Sequence, residues 1–157
     1  MTKSRIGSQA SWSLNYVEHI DGTGLTGNTN VQLSSSDSGK VFMITQYSGV
    51  YSITLPKLST EMAGWHATFR IKAASSGNTL IMAYPLQEAG TTGDSDTMLL
   101  KEFAATDHSA ATQVAQDGLV FTGNAAVAGD YAEVFTDGTN WYATAFYEDA
   151  AHGAGVD

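Results

Sequence analysis

The sequence predicts an all-β protein, a single antiparallel β-sandwich of jelly-roll-like character with an extended N-terminal arm. Three observations carry that expectation. Short runs rich in aromatic and β-branched residues recur along the chain, separated by Gly, Asn, Asp and Ser. Charged residues make up only 15% of the sequence, below the usual ~25%, and 16 glycines accompany abundant Ser and Thr, as turn-rich sheet proteins require. The last ordered run, residues 131–147, has the grammar of a β-hairpin: two such runs flank Asp137-Gly138-Thr139-Asn140, which supplies turn chemistry.

Taken in order, residues 1–15 show little periodicity around Ile6, Trp12 and Leu14 and read as the arm. Residues 16–20 and 31–33 read as two short strands, with a Gly/Thr/Asn loop at 21–30. Residues 41–46 and 50–55 form a strand pair around Tyr47-Ser48-Gly49, ended by Pro56. In the second of these, Tyr51, Ile53 and Leu55 share one face, opposite Ser52 and Thr54. Residues 58–64 read as a helical turn, with Ser59 as N-cap and Gly64 as stop.

The cleanest alternation runs from Trp65 to Lys72. Trp65, Ala67, Phe69 and Ile71 face inward, and His66, Thr68, Arg70 and Lys72 outward. A Gly77-Asn78 turn leads into a strand over 79–84. From 85 to 117 the pattern dissolves, and residues 98–105 fit either a helix or a strand. Residues 119–122 are a further strand, and the 131–136 and 141–147 hairpin closes the domain. Phe135 and Trp141 are expected in the core with Trp65 and Phe69, while Tyr47, Tyr51, Tyr142 and Tyr147 are expected to be partly exposed. The division is an arm over 1–15, a sandwich of roughly eight or nine strands over 16–149, and a Gly/Ala-rich tail over 150–157, with no long repeat.

The composition excludes several functions. Without cysteine, neither disulfides nor thiolate metal sites hold the fold. No apolar run approaches the ~20 residues of a membrane span, and the N-terminus lacks a signal-peptide core, so synthesis in the cytoplasm is expected. A net charge of −9 argues against nucleic acid. The charge is uneven: residues 1–72 hold six of the seven basic groups against four acids, and residues 73–157 hold Lys101 alone against twelve.

Motifs for chemistry are weak. Ser38-Gly39-Lys40-Val41 lacks both the upstream glycine and the Ser or Thr of a phosphate loop. His19 with Asp21, Asp107-His108, and Asp94-Ser95-Asp96 offer metal ligands, but none has the spacing of a zinc or calcium site. No serine sits in a nucleophile elbow. The expectation is a protein with no catalytic residues, no metal and no cofactor.

Two stretches carry a family resemblance. One runs from Gly49-Val50-Tyr51-Ser52-Ile53-Thr54-Leu55-Pro56 through Gly64 to Ile71, with Gly77-Asn78-Thr79-Leu80 after it; the other is the hairpin from Gly129. Together they resemble the β-sandwich modules of tailed-bacteriophage virions: capsid decoration (cement) proteins, head fibres and tail-fibre segments. The resemblance implies a structural virion protein on the outer capsid surface, bound non-covalently to the major capsid protein between capsomers, as a homotrimer. The alternative it leaves open is a receptor- or carbohydrate-binding module of a fibre, neck or tail. Lys3, Arg5, Ile6, Trp12 and Leu14 are the expected partner-binding residues, since a polar arm with spaced apolar anchors can order on a partner.

Overall fold

The computed structural model describes residues 16–21, 29–45, 48–73, 76–83, 98–104 and 110–148. The proposed arm, the tail, Tyr47 and the candidate metal ligands at 94–96 and 107–108 lie outside the described residues. The described chain is all β, apart from two 3-10 turns at Ser35–Asp37 and Thr60–Met62. Its eleven strands are β1 (Val17–Asp21), β2 (Thr29–Gln32), β3 (Val41–Thr45), β4 (Tyr51–Thr54), β5 (His66–Ala73), β6 (Thr79–Met82), β7 (Met98–Ala104), β8 (Ala110–Gln116), β9 (Gly118–Phe121), β10 (Tyr131–Thr136) and β11 (Trp141–Tyr147).

They form a seven-stranded sheet ordered β1-β3-β5-β10-β11-β7-β8 and a four-stranded sheet ordered β2-β4-β6-β9. The ladders are mixed, which corrects the expected antiparallel arrangement. Five of the nine strand pairs are parallel, β1 with β3, β3 with β5, β2 with β4, β4 with β6, and β7 with β11. The reason is the path of the chain. From β1 to β6 it alternates between the two sheets, so each return to a sheet runs in the same direction as the last visit. Strand and counter-strand thus make three stacked coils, a structural repeat with no sequence repeat beneath it. Alternation in sequence reports which face is buried but not which neighbour lies alongside.

The same path explains why residues 41–46 and 50–55 are not a hairpin. β3 and β4 sit in different sheets, and Phe42 and Ile44 enter the core cluster from one side while Ile53 and Leu55 enter from the other. One hydrophobic cluster draws on both sheets, including Phe69, Ile71, Val134 and Trp141 from the larger and Ile81, Leu119 and Phe121 from the smaller. Phe121 meets Tyr147 edge-on across the sheets, with ring centroids 5.8 Å apart.

Several local expectations hold. β5 buries Ala67, Phe69 and Ile71 and exposes His66, Arg70 and Lys72. The 58–64 turn is a 3-10 turn preceded by Ser59, although the Ser59 side chain makes no capping bond, and Gly64 ends it with φ of +88°. Residues 98–104 resolve as a strand. β8 was not expected: Ala-Ala-Thr-Gln-Val-Ala-Gln has little β signal, and it forms the outer strand by pairing with β7. Tyr51 and Tyr147 are buried rather than partly exposed, and Ser52 and Thr54 are buried as well.

Candidate binding face

The outward side of the seven-stranded sheet is built by alternation. In β10, Ala132, Val134 and Thr136 point into the protein, so Tyr131, Glu133 and Phe135 point out; in β11, Tyr142, Thr144 and Phe146 point out between buried neighbours. β5 adds His66, Thr68 and Arg70, and β7 adds Leu99, Lys101 and Phe103.

Strand register then assembles these into rows. Arg70 pairs with Tyr131, Tyr131 with Phe146, and Phe146 with Phe103. The next row is Thr68, Glu133, Thr144 and Lys101, and the third is His66, Phe135, Tyr142 and Leu99. Each row crosses four strands, about 14 Å, and the two aromatic rows lie about 13 Å apart with the small polar row between them.

The first row is a stack. Tyr131 and Phe146 lie 4.7 Å apart at 17°, and Phe146 and Phe103 5.1 Å apart at 13°. Arg70 sits over the Tyr131 ring at 4.9 Å and Lys101 over Phe103 at 5.2 Å, so a cation caps each end. Stacked pairs contribute about 0.5–1.5 kcal/mol each beyond burial, and exposed cation–π contacts about 0.5–1 kcal/mol. These contacts hold the rings in place. In the third row Phe135 stacks on Tyr142 at 4.9 Å and 13°. Phe135 is 49% exposed, which corrects its expected core position. The sequence does hold the signal: Glu133 shares its face, and an unpaired carboxylate does not belong in a core.

The row is pinned at its end by the hairpin turn. The Tyr142 hydroxyl donates to Asp137 at 2.9 Å, and the amides of Thr139 and Asn140 donate to the other Asp137 oxygen at 2.8 Å each. Hydrogen bonds from Asn140, Thr139 and Tyr142 hold the Asp137 carboxyl below its ordinary value, and the bond to Asp137 raises the Tyr142 hydroxyl.

Trp141 lies in the core as expected, fully buried, but its ring partner is Trp65, edge-on at 5.2 Å and 86°. Phe69 instead stacks on Phe42 at 5.2 Å. Lys40 is held by ion pairs to Glu18, at 2.8 Å, and Asp37, whose hydrogen bonds raise its ammonium above the ordinary value. That use accounts for the lysine of the near-miss phosphate motif. His19 is exposed, and among the described residues no cluster of three or more His, Cys, Asp or Glu is placed to hold a metal. Lys3, Arg5, Ile6, Trp12 and Leu14 lie outside the described residues. Among the described residues no helix is long and apolar enough to cross a membrane.

Chemically, the face offers adhesion. Of its rings Phe135 is exposed, and Tyr131, Phe146, Phe103 and Tyr142 are half-buried, so the face presents stacked rings and two cations to solvent. No family model, curated protein or solved structure matches this chain.

Proposed function

We propose that the chain is a structural virion protein that decorates an assembled phage capsid and stabilises it by non-covalent binding between capsomers, without turnover. The single observation that supports this most is the cation-capped aromatic ladder on the outward face of the seven-stranded sheet. A reinforcing protein needs a surface that is rigid before it binds, because ordering side chains at the interface weakens association. It also needs only modest affinity per contact, since symmetry-related copies combine through effective concentration. In this reading the chain folds as one sandwich, the major capsid protein is the partner, three copies associate, and the arm with Lys3, Arg5, Ile6, Trp12 and Leu14 adds a second contact.

Co-sedimentation with assembled capsids tests it. Phe135→Asp places a charge on the exposed face and is expected to abolish capsid binding while thermal melting stays within a few degrees. Unimpaired binding of that variant removes this face from the mechanism, and no binding by the unaltered protein removes the proposal. Copy number in purified virions that scales with capsomer number supports decoration, whereas a few copies at one vertex supports a fibre.

The half-exposed Phe135 ring favours a second reading, a receptor- or carbohydrate-binding module of a fibre, neck or tail. Binding of the isolated protein to a defined set of glycans, lost in Phe135→Ala, would favour it.

A further inference from the structure

We infer that the outward face of the seven-stranded sheet takes an acidic protein surface, with Arg70 and Lys101 receiving carboxylates at the two ends of the aromatic ladder. This rests on the adhesive reading above and specifies the chemistry of what is bound.

The orientation of the rings is the first argument. Phe146 has Tyr131 stacked on one side and Phe103 on the other, and Arg70 and Lys101 sit over the outer two rings. Ring faces, which carry the negative part of the quadrupole, are therefore occupied by neighbours, and the ladder meets solvent with its edges, which carry the positive part. Sugars and nucleobases need an open face to stack on, which this row does not offer. Carboxylates are attracted to ring edges and to the cations at either end.

Charge is the second argument. The chain carries a net −9, yet two of its seven basic residues cap this row and Lys72 is exposed at the end of β5. Among the described residues of β5, β7, β10 and β11 the one exposed acid is Glu133, in the polar row beside the ladder. Glu148, just past the end of β11, and Asp137, in the hairpin turn at the end of the third row, are exposed as well. The three acids lie off the ladder itself, so its two ends are cationic on an acidic protein. It can select a complementary patch while the remainder of the surface repels other acidic neighbours.

The test is retention of the full chain on immobilised poly-L-glutamate, with duplex DNA as the competing anion. Retention is expected at low ionic strength, falling about tenfold as salt shortens the screening length below the span of the row. Arg70→Gln and Lys101→Gln are each expected to weaken retention about three- to tenfold, and Glu133→Gln to strengthen it about two- to threefold. The opposite signs matter, because a purely apolar surface would respond to none of the three. Arg70→Lys and Lys101→Arg, which keep the charge, are expected to retain most binding, so a loss in the glutamine variants through misfolding would be recognised. No retention on poly-L-glutamate, indifference to all three neutral variants, or tighter retention on duplex DNA would each overturn the inference. Capsid binding that is unaffected by the charge variants overturns the acidic preference alone, while retention on poly-L-glutamate without capsid binding overturns the virion setting alone.

Discussion

Trp141 lies in the core with no exposed surface, and its indole N–H has no hydrogen-bond partner among the described residues. Its contribution therefore comes from volume and from the edge-on contact with Trp65. Trp141→Ala is expected to destabilise by roughly 3–5 kcal/mol in urea unfolding, as large-to-small core changes do. Trp141→Phe should cost clearly less, because no hydrogen bond is lost and the cavity is smaller. Equal losses would mean that the indole N–H has a partner. Asp37 makes a second residue-scale test. Burial raises its carboxyl, but hydrogen bonds from Lys40 and from the Ser34 amide and hydroxyl outweigh this and hold it below the ordinary value. A depressed folded value stabilises fully above the unfolded value and is lost as pH falls through the folded one. Melting of the unaltered protein followed from neutral pH down to about pH 2 should therefore show an acid limb that is shallower in Asp37→Asn.

The hairpin shows how elements hold one another. Gly64, which closes the 60–62 turn, donates its amide to the Thr136 carbonyl at 2.8 Å, and the Thr136 amide donates to Trp65 at 3.0 Å. Gly138, in the β10–β11 turn, has φ of +92°, and a Cβ there would lie 2.9 Å from the Ser59 carbonyl oxygen. Gly64 has a similar φ of +88° with nothing within 4 Å of the same atom. Both alanine variants meet the left-handed penalty of about 1–2 kcal/mol, but only Gly138→Ala also pushes against the backbone of the neighbouring turn. Gly138→Ala is expected to lower the melting temperature further than Gly64→Ala. Equal shifts would show that the 60–62 turn moves aside freely. The comparison bears on function, since Asp137 in the same turn anchors Tyr142 in the third row of the face.

For the whole molecule, the coil path has kinetic consequences. Every ladder from β1 to β6 joins strands separated by an excursion into the other sheet, so few contacts are local. Refolding is expected on the order of milliseconds to seconds, the range of sheet proteins dominated by non-local pairing. Stopped-flow tryptophan fluorescence would read this through Trp65 and Trp141, and microsecond refolding would contradict the topology. On the proposed function, deleting residues 2–14 should leave melting unchanged and weaken capsid co-sedimentation. A large loss of stability would mean that the segment completes the domain's own sheets.

The sequence by itself determined the β character of the described chain, the hairpin from Tyr131 to Tyr147, and the inward and outward faces of β5, because these depend on alternation and turn chemistry within a few residues. It also held, in Glu133 beside Tyr131 and Phe135, the clue to the outward side of β10. Tertiary structure alone decided that β3 and β4 part into different sheets, that β1, β3 and β5 run parallel, and that the unremarkable 110–116 segment forms β8. The ladder from Arg70 to Phe103 belongs to this second group. Its members come from β5, β10, β11 and β7, and strand order and register bring them within stacking distance, which no local pattern in the chain encodes.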